Sequence, residues 1–292
     1  MQDKITLITG ATSGIGFQTA LTLAKMGAQV IVTGRSKPNA EEAVAKIKNV
    51  SGNARVDFLL ADLTKQAEIR TLVESFRQKY PRLDVLINNA GLVEPERRLT
   101  EDGIEAIFSV NTVAPFLLTH LLMDSLKASV SPRVITVTGG NVVPINLDNL
   151  QGEKSFLSLN TYSHAKTCMM ALMYEFSLRE KGVAINVCFP GGASTNMTAS
   201  IKPEMAPTIL KLIWPIFKWI TRPDNGKSAA KAARSSIYLA ASPEVAGVTS
   251  AYYDTNSKLT AWPPAVLDTT TRENLWEIVS RLSGIKQNNA LA

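Results

Sequence analysis

Short runs of apolar, mostly β-branched residues alternate along the chain with longer segments of helical periodicity. This alternation predicts βαβ units, in which crossover helices connect parallel strands. Because the strands are apolar at nearly every position, we expect helices to cover both faces of the sheet. The predicted strands are Ile5–Thr9, Gln29–Thr33, Val56–Ala61, Val85–Asn88, Arg133–Thr138 and Ala184–Phe189, with a seventh at Ser250–Asp254.

The helical segments fill the intervals between these strands. The first helix is predicted to end near Met26. The later helices are predicted to span Asn39–Lys48, Lys65–Lys79, Thr112–Lys127 and Tyr162–Glu180. Because no repeat or linker divides the chain, we expect a single doubly wound, Rossmann-like α/β domain over residues 1–292, with a parallel sheet of about seven strands. Two insertions, near 141–161 and 195–227, follow the carboxyl ends of strands, where such sheets bind ligands.

Charge and cysteine content narrow the classes of function. The formal charge of +6 suits anionic ligands or an anionic membrane surface, but the basic residues are scattered, so nucleic-acid binding is not expected. Cys168, Cys188 and the two histidines lack the spacing of a metal site, and no metal is predicted. With reduced, packed thiols and no signal peptide before the first strand, we expect a cytoplasmic protein.

A glycine-containing turn, TGATSGIG (Thr9–Gly16), joins the first strand to the first helix. Glycines let backbone N–H groups approach a pyrophosphate, and the start of a helix adds a partial positive charge. The alternative is a tight turn that binds nothing. The position between a strand and a helix favours dinucleotide binding, through Gly10, Thr12, Ser13, Gly14, Ile15 and Gly16.

The residues after the second strand indicate which dinucleotide binds. The segment Gly34–Lys37 contains no Asp or Glu that could accept hydrogen bonds from the adenosine ribose hydroxyls. In contrast, Arg35 can bind a 2′-phosphate with its guanidinium, and Lys37 can add a second positive charge. This predicts NADP(H), the alternative being a solvated surface arginine. Asp62 and Leu63 follow the third strand, where Asp62 can cap the next helix.

A tyrosine and a lysine four residues apart, Tyr162 and Lys166, lie on one face of a predicted helix. A nearby ammonium stabilises a phenolate, so we expect Lys166 to lower the pKa of Tyr162 from about 10. The phenol would then serve as a general acid or base near neutral pH.

Together these segments resemble the short-chain dehydrogenase/reductase family. The turn TGATSGIG, the motif NNAG at Asn88–Gly91, the Tyr162/Lys166 pair and the PGGAST segment at Pro190–Thr195 occur in the family's order. The resemblance implies that the cofactor is contacted by Asn89, Ala90, Gly91, Tyr162, Lys166, Pro190, Gly191 and Thr195. It implies, as the alternative to the helix cap, that Asp62 borders the adenine together with Leu63. It also implies that Asn111 holds a proton-relay water, and that the Tyr162 helix and the helix before it form a homodimer or homotetramer face.

The fifth strand departs from the family pattern. Where the family has a serine that positions the substrate carbonyl, the alignment places Gly139, which has no hydroxyl. Three interpretations stay open: Thr138 acts through a one-residue shift, Asn141 supplies the donor, or the site performs redox-neutral chemistry. Loss of one such donor typically costs about 10²–10³ in rate.

Segments on the substrate side, Leu147–Lys154, Ala261–Pro264 and Leu275–Glu277, resemble the retinol dehydrogenase/WW-domain oxidoreductase branch. The resemblance implies carbonyl–alcohol redox on a bulky apolar small molecule. The alternatives are isomerisation, elimination or cyclisation in a biosynthetic pathway, and a non-catalytic NADP-binding scaffold. The aromatic, lysine-flanked segment Pro207–Thr221 fits a lid, an interfacial membrane helix or core packing.

Overall fold

The structure is a computed structural model that describes residues 1–206, 214–215 and 224–285. Its strands are β1 Ile5–Ile8, β2 Gln29–Gly34, β3 Val56–Leu60, β4 Val85–Asn88, β5 Arg133–Val137, β6 Ala184–Cys188, β7 Ala251–Tyr253 and β8 Leu259–Thr260. Within the described residues they form one eight-stranded sheet in the order β3-β2-β1-β4-β5-β6-β7-β8. The first seven strands are parallel, and β8 is antiparallel to β7. The predicted Rossmann-like sheet is confirmed, with β8 added at its edge.

Helices connect the strands and cover both faces of the sheet. They are α1 Gly14–Lys25, α2 Lys37–Ser51, α3 Gln66–Lys79, α4 Ala106–Phe108, α5 Ala114–Leu121, α6 Met123–Lys127, α7 Ser158–Arg179, α8 Asn196–Ser200, α9 Lys227–Ala232, α10 Arg234–Ala241, α11 Pro264–Leu267 and α12 Thr269–Leu282. A π-helical turn, Ser109–Val113, joins α4 to α5. Short 3₁₀ turns lie at Leu147–Asn149, Pro203–Met205 and Pro243–Val245.

Two apolar cores lie on opposite faces of the sheet. Side chains alternate along a strand, so Leu7 faces a core with α3, α5 and α7, whereas Ile8 faces a core with α1, α2 and α10. Both cysteine thiols are buried within these cores, where burial raises their pKa. No helix among the described residues has the length and apolarity that crossing a bilayer requires.

Several helix boundaries differ from the predictions. The second helix begins at Lys37 because Ser36 accepts a hydrogen bond from Asn39 N at 3.5 Å and caps it. The helix predicted over Thr112–Lys127 starts at Ala106 and is divided by the π-helical turn and by Leu122. Periodicity alone does not reveal such divisions.

The helix α12 covers the outer face of α5 and α7. Trp276 places its ring 4.9 Å from the ring of Phe116 and 4.6 Å from that of Phe176, between centroids. Arg272 forms a buried ion pair with Glu175 of α7 at 2.5 Å. Part of the surface of α5 and α7 is therefore packed against this chain's own helix α12.

Candidate active site

The turn between β1 and α1 is built for close backbone approach. A Cβ on Gly16 would lie 2.5 Å from the carbonyl oxygen of Gly10, so this position accepts only glycine. The first helical hydrogen bond of α1 runs from Phe17 N to Ser13 O at 3.2 Å. Consequently the amides of residues 14–16 have no acceptor within the described part of the chain, and they are available to an anion.

Positive charge lies next to this turn at the end of β2. Gly34 packs against Thr12, since a Cβ on Gly34 would lie 2.6 Å from Thr12 Cγ2. The adjacent Arg35 is exposed and makes no ion pair or hydrogen bond with any described residue. Lys37 lies 3.8 Å from Glu41, and both are exposed. Arg35 is therefore the guanidinium available to a ligand on the turn.

The NNAG segment is tied to the phosphate turn through Thr9. Thr9 Oγ1 accepts hydrogen bonds from Asn89 N at 2.9 Å and from Ala90 N at 3.0 Å. The Asn89 side chain donates to Thr9 O at 2.9 Å and to Gly10 O at 3.2 Å. Thr9 was not among the predicted site residues. Its position at the end of an apolar strand, directly before the glycine turn, was the available signal.

Asp62 orders the segment that follows β3. Its carboxylate accepts from Thr64 N at 3.0 Å and from Thr64 Oγ1 at 2.8 Å. The residue that caps α3 is Lys65, so the interpretation of Asp62 as the helix cap is wrong. Leu63 is partly buried and borders a small cavity that also contacts Lys166.

Tyr162 and Lys166 lie side by side on α7, and both are buried. Lys166 Nζ lies 5.9 Å from the centroid of the Tyr162 ring and donates to Val137 O at 3.1 Å. Burial raises the pKa of Tyr162 above its ordinary value and lowers the pKa of Lys166 to about 8. The expected lowering of the phenol pKa is not observed, because desolvation of both groups outweighs their attraction.

Asn111 lies in the π-helical turn and uses its side chain to hold the loop after β4. Its Nδ2 donates to Leu92 O and to Ile107 O, each at 2.8 Å, and its Oδ1 accepts from Leu92 N at 3.2 Å. π-Helical turns inside helices occur frequently at functional sites. Here the turn brings Asn111 beside Gly91 and Lys166.

A cavity of about 10 Å³ lies beneath Lys166, close to the room that one water needs. Its polar lining comes from Thr9, Asn88, Asn111, Thr136 and Lys166. The Asn88 side chain donates to Thr119 Oγ1 at 3.0 Å and to Thr136 Oγ1 at 3.3 Å. Its Oδ1 is buried and has no hydrogen-bond partner among the described residues.

Gly139, which the alignment places at the position of the family's serine, faces the hydroxyl of Tyr162. A Cβ on Gly139 would lie 2.5 Å from Tyr162 Oη. The hydroxyl of Thr138 is buried and has no hydrogen-bond partner in the described chain. Asn141 is exposed, and its backbone N–H donates to Ser163 Oγ at 3.3 Å.

The segment after β6 folds over the turn of α1. Pro190 is buried, Gly191 packs against Thr255, and Thr195 caps α8. A Cβ on Gly14 would lie 3.2 Å from Thr195 Cγ2, which shows that Thr195 contacts the glycine turn. This brings Pro190–Thr195 to the same cleft as the NNAG motif.

Apolar residues from three segments pack in the same core as Tyr162. Buried members are Leu150, Ile201 and Met205, and partly buried members are Phe156, Met197 and Trp214. The segment Pro207–Thr221, for which three roles were considered, lies outside the described residues except for Trp214 and Pro215. These segments thus contribute apolar residues to the core cluster that includes Tyr162.

Comparison with known proteins agrees with this geometry. The family model for short chain dehydrogenase matches residues 4–206. Human polyprenol dehydrogenase is 35% identical over 97% of this chain and 86% of its own length, and human retinol dehydrogenase 14 is 34% identical over 98% and 88%. A WW domain-containing oxidoreductase from Danio rerio is 32% identical over 97% of this chain and 69% of its own length.

Solved structures share the fold. A short chain dehydrogenase from Shigella flexneri, complexed with NADP, has a TM-score of 0.67 and 24% identity, over 88% of this chain and 98% of its own. The similarity to retinol dehydrogenases and to a WW domain-containing oxidoreductase confirms the predicted branch. This chain belongs to the short-chain dehydrogenase family.

Proposed function

We propose that the chain is an NADP(H)-dependent oxidoreductase that interconverts a carbonyl and an alcohol on a bulky apolar small molecule. The observation that carries the proposal is the buried Tyr162/Lys166 pair on one face of α7. A structural role alone does not require a buried ammonium beside a buried phenol, because burying either group is costly. Such perturbed groups are concentrated at functional sites.

The residues around the glycine turn fit a phosphorylated dinucleotide. The tight approach at Gly16 and the open amides at the start of α1 suit the pyrophosphate, and the unpaired Arg35 suits a 2′-phosphate. NADP is the ligand of the related Shigella structure. We infer that Lys166 and Thr195 would hold the nicotinamide end, since both reach the cleft between the glycine turn and Gly91.

When bound, the nicotinamide supplies or accepts the hydride at the carbon that is reduced or oxidised. Tyr162 gives its proton to the carbonyl oxygen during reduction and takes it back during oxidation. Because burial favours the neutral phenol, Tyr162 begins the reductive direction in the protonated form that it needs. Lys166, held by Val137 O, keeps a positive charge available beside the phenolate that forms.

An apolar substrate is supported by two observations. The residues that the segments after β5 and β6 contribute to the same core cluster as Tyr162 are aliphatic, aromatic or sulfur-containing, and Met197 Sδ lies 3.6 Å from the position of a Cβ on Gly91. Two relatives are named as dehydrogenases of polyprenol and of retinol, which are long apolar alcohols. We infer that the substrate of this chain shares that character. The site beside Tyr162 would then bind it mainly through burial of apolar surface.

Redox-neutral chemistry is the second candidate, and Gly139 is the observation that favours it. An isomerisation, elimination or cyclisation would form product without a change in the absorbance of NADPH. The two functions therefore differ in stoichiometry, which one assay can measure.

The test is turnover by the purified chain with NADPH on a set of apolar ketones, aldehydes and enones, following both absorbance and products. We expect NADPH consumption equal to alcohol formed, and loss of turnover in Tyr162→Phe with little change in NADPH affinity. Tyr238→Phe is the matched control, because that hydroxyl bonds to Glu244 on α10's side of the sheet. Product without NADPH consumption would support the redox-neutral candidate, and undiminished turnover in Tyr162→Phe would exclude the role of Tyr162.

A further inference from the structure

We propose that the backbone amides of Gly139 and Gly140 donate the hydrogen bond that orients the substrate's carbonyl oxygen beside Tyr162. In this chain they would replace the side-chain hydroxyl that position 139 lacks. The inference rests on the proposed function and specifies how the oxygen of an aldehyde or ketone is held at that site.

A side-chain donor at position 139 does not fit this site. The space that its Cβ would need lies 2.5 Å from Tyr162 Oη, so the phenol already occupies it. The next residue is equally constrained: a Cβ on Gly140 would lie 2.7 Å from Ser163 Oγ, and its φ of +69° disfavours any other residue. The paired glycines thus leave only backbone beside the phenol.

Neighbouring side chains do not supply the donor either. Thr138 Oγ1 is enclosed, so a substrate cannot reach it without a rearrangement of β5. Asn141 is exposed beyond the glycines, and Ser163 Oγ lies beside Gly140 rather than Gly139, where it accepts from the N–H of Asn141 at 3.3 Å. The two side chains considered from the sequence therefore do not supply the donor, since Thr138 is enclosed and Asn141 is exposed past the glycines.

The glycine amides, in contrast, are free and fixed in place. Neither Gly139 N–H nor Gly140 N–H has an acceptor among the described residues. The segment is anchored before them by Thr138 N donating to Cys188 O at 2.9 Å, and after them by the Asn141–Ser163 hydrogen bond. Gly139 is half-buried and Gly140 is exposed. A half-buried backbone donor such as Gly139 N–H rarely remains unpaired, which indicates that a ligand completes it.

The glycine pair follows the edge of the Tyr162 ring. The Cβ position of Gly139 lies nearest Tyr162 Oη, whereas a Cβ on Gly140 would lie 3.3 Å from Tyr162 Cδ1. An oxygen that accepts the proton of Oη would therefore lie close to the two glycines. Adjacent backbone amides that point to developing negative charge form an oxyanion hole, and each such donor contributes about 10²–10³ in rate.

The first experiment observes the amides without turnover. The protein is labelled with ¹⁵N-glycine, loaded with NADPH and titrated with decanamide, an apolar carbonyl compound that is not reduced. Of the 17 glycines in the chain, Gly139 and Gly140, assigned from their alanine variants, should show the largest downfield shifts of the amide proton. A carbonyl oxygen that bonds elsewhere would leave these two resonances unchanged.

The second experiment removes the donors one at a time. Gly139→glycolic acid and Gly140→glycolic acid, made by suppressor-tRNA translation, exchange the N–H for an oxygen without adding a side chain. We expect kcat and kcat/KM to fall together by about 10²–10³ for at least one ester, with NADPH affinity unchanged. Gly182→glycolic acid is the control, since no atom outside its chain neighbours lies within 4 Å of a Cβ there.

The outcomes separate this inference from the function beneath it. Turnover that persists in both esters, together with unshifted glycine resonances, overturns the amide donors while the oxidoreductase stands. Absence of both decanamide binding and NADPH-dependent turnover overturns the proposed function, and the inference with it.

Discussion

The hydroxyl of Tyr162 lies where a side chain on residue 139 would begin, with only 2.5 Å between Oη and the position of a Cβ on Gly139. The two residues come from different elements, the end of β5 and the first turns of α7. The glycine at position 139, which departs from the family pattern, therefore leaves the space that the proposed proton donor, Tyr162 Oη, occupies.

Restoring a serine at this position should impair the enzyme. Gly139→Ser forces Tyr162 Oη to move, and a displacement of about 1 Å at a reacting group can cost 10²-fold in rate. We expect kcat to fall by about 10- to 100-fold, with unchanged affinity for NADPH measured by fluorescence titration. Ala230→Ser, on the exposed surface of α9, is the control. A rise in kcat would mean that the phenol has another working position.

Arg35 should determine the preference for the phosphorylated cofactor. In Arg35→Ala the 2′-phosphate loses charge-assisted hydrogen bonds worth about 1.5–3 kcal/mol, so the Kd for NADPH should rise about 10- to 100-fold. The Kd for NADH should change little. Lys37→Ala should have a smaller effect, since Lys37 also lies near Glu41. Calorimetric titration of both cofactors decides this, and equal losses for NADH and NADPH would contradict a 2′-phosphate contact.

The cavity beneath Lys166 should hold an ordered water. Asn88 Oδ1 is a buried acceptor without a partner in the described chain, and Lys166 Nζ has three donors but one protein acceptor, Val137 O. A water there would accept from the ammonium and donate to the amide oxygen. A crystal structure that resolves solvent should show it within hydrogen-bond distance of both atoms. A dry cavity in well-ordered density would disprove the bridge.

Lys166→Met should stabilise the fold while it abolishes turnover. Burial lowers the pKa of Lys166 from 10.5 to about 8, so the folded state disfavours its ammonium at neutral pH. At roughly 1.4 kcal/mol per pKa unit this shift corresponds to a cost of about 3 kcal/mol, and loss of the hydrogen bond to Val137 O offsets part of the gain. Removing the charge should therefore raise the free energy of unfolding at pH 7 by about 1–3 kcal/mol. Exposed Lys231 supplies the control, Lys231→Met, measured by urea unfolding.

The lowered pKa of Lys166 also determines how the free energy of unfolding depends on pH. Between about pH 8 and 10.5 the unfolded chain binds the Lys166 proton and the folded chain does not, so wild-type stability should rise with pH in this window. Below about pH 8 both states bind the proton, and the destabilisation is fully present. The Lys166→Met variant should lack this rise. A rise of equal size in the variant would assign it to other groups.

Much of the fold was predictable because local pattern and global architecture agree. The strand β4 has the predicted bounds, and the glycine turn leads into α1 as expected. The edge strand β8 was missed because Leu259–Thr260 is two residues long and exposed, too short for an alternation of buried and exposed positions.

The site was predictable as a set of motifs but not as a set of contacts. Sequence order placed Gly139 at the serine position, yet only packing shows that the phenol fills the space of its side chain. Likewise, the shift in the Tyr162 pKa depends on burial, which a spacing of four residues does not contain. The cover that α12 provides is a long-range contact between residues about a hundred positions apart, such as Glu175 and Arg272.

Transfer of label from [4,4-²H₂]NADPH to an apolar ketone or aldehyde, followed by mass spectrometry of the product, tests the central claim most directly. If the glycine turn and Arg35 hold a phosphorylated nicotinamide beside Tyr162, deuterium will appear on the carbinol carbon in wild type and be lost with Tyr162→Phe. Product that carries no deuterium, or wild-type protein that fails to bind NADPH, would contradict it.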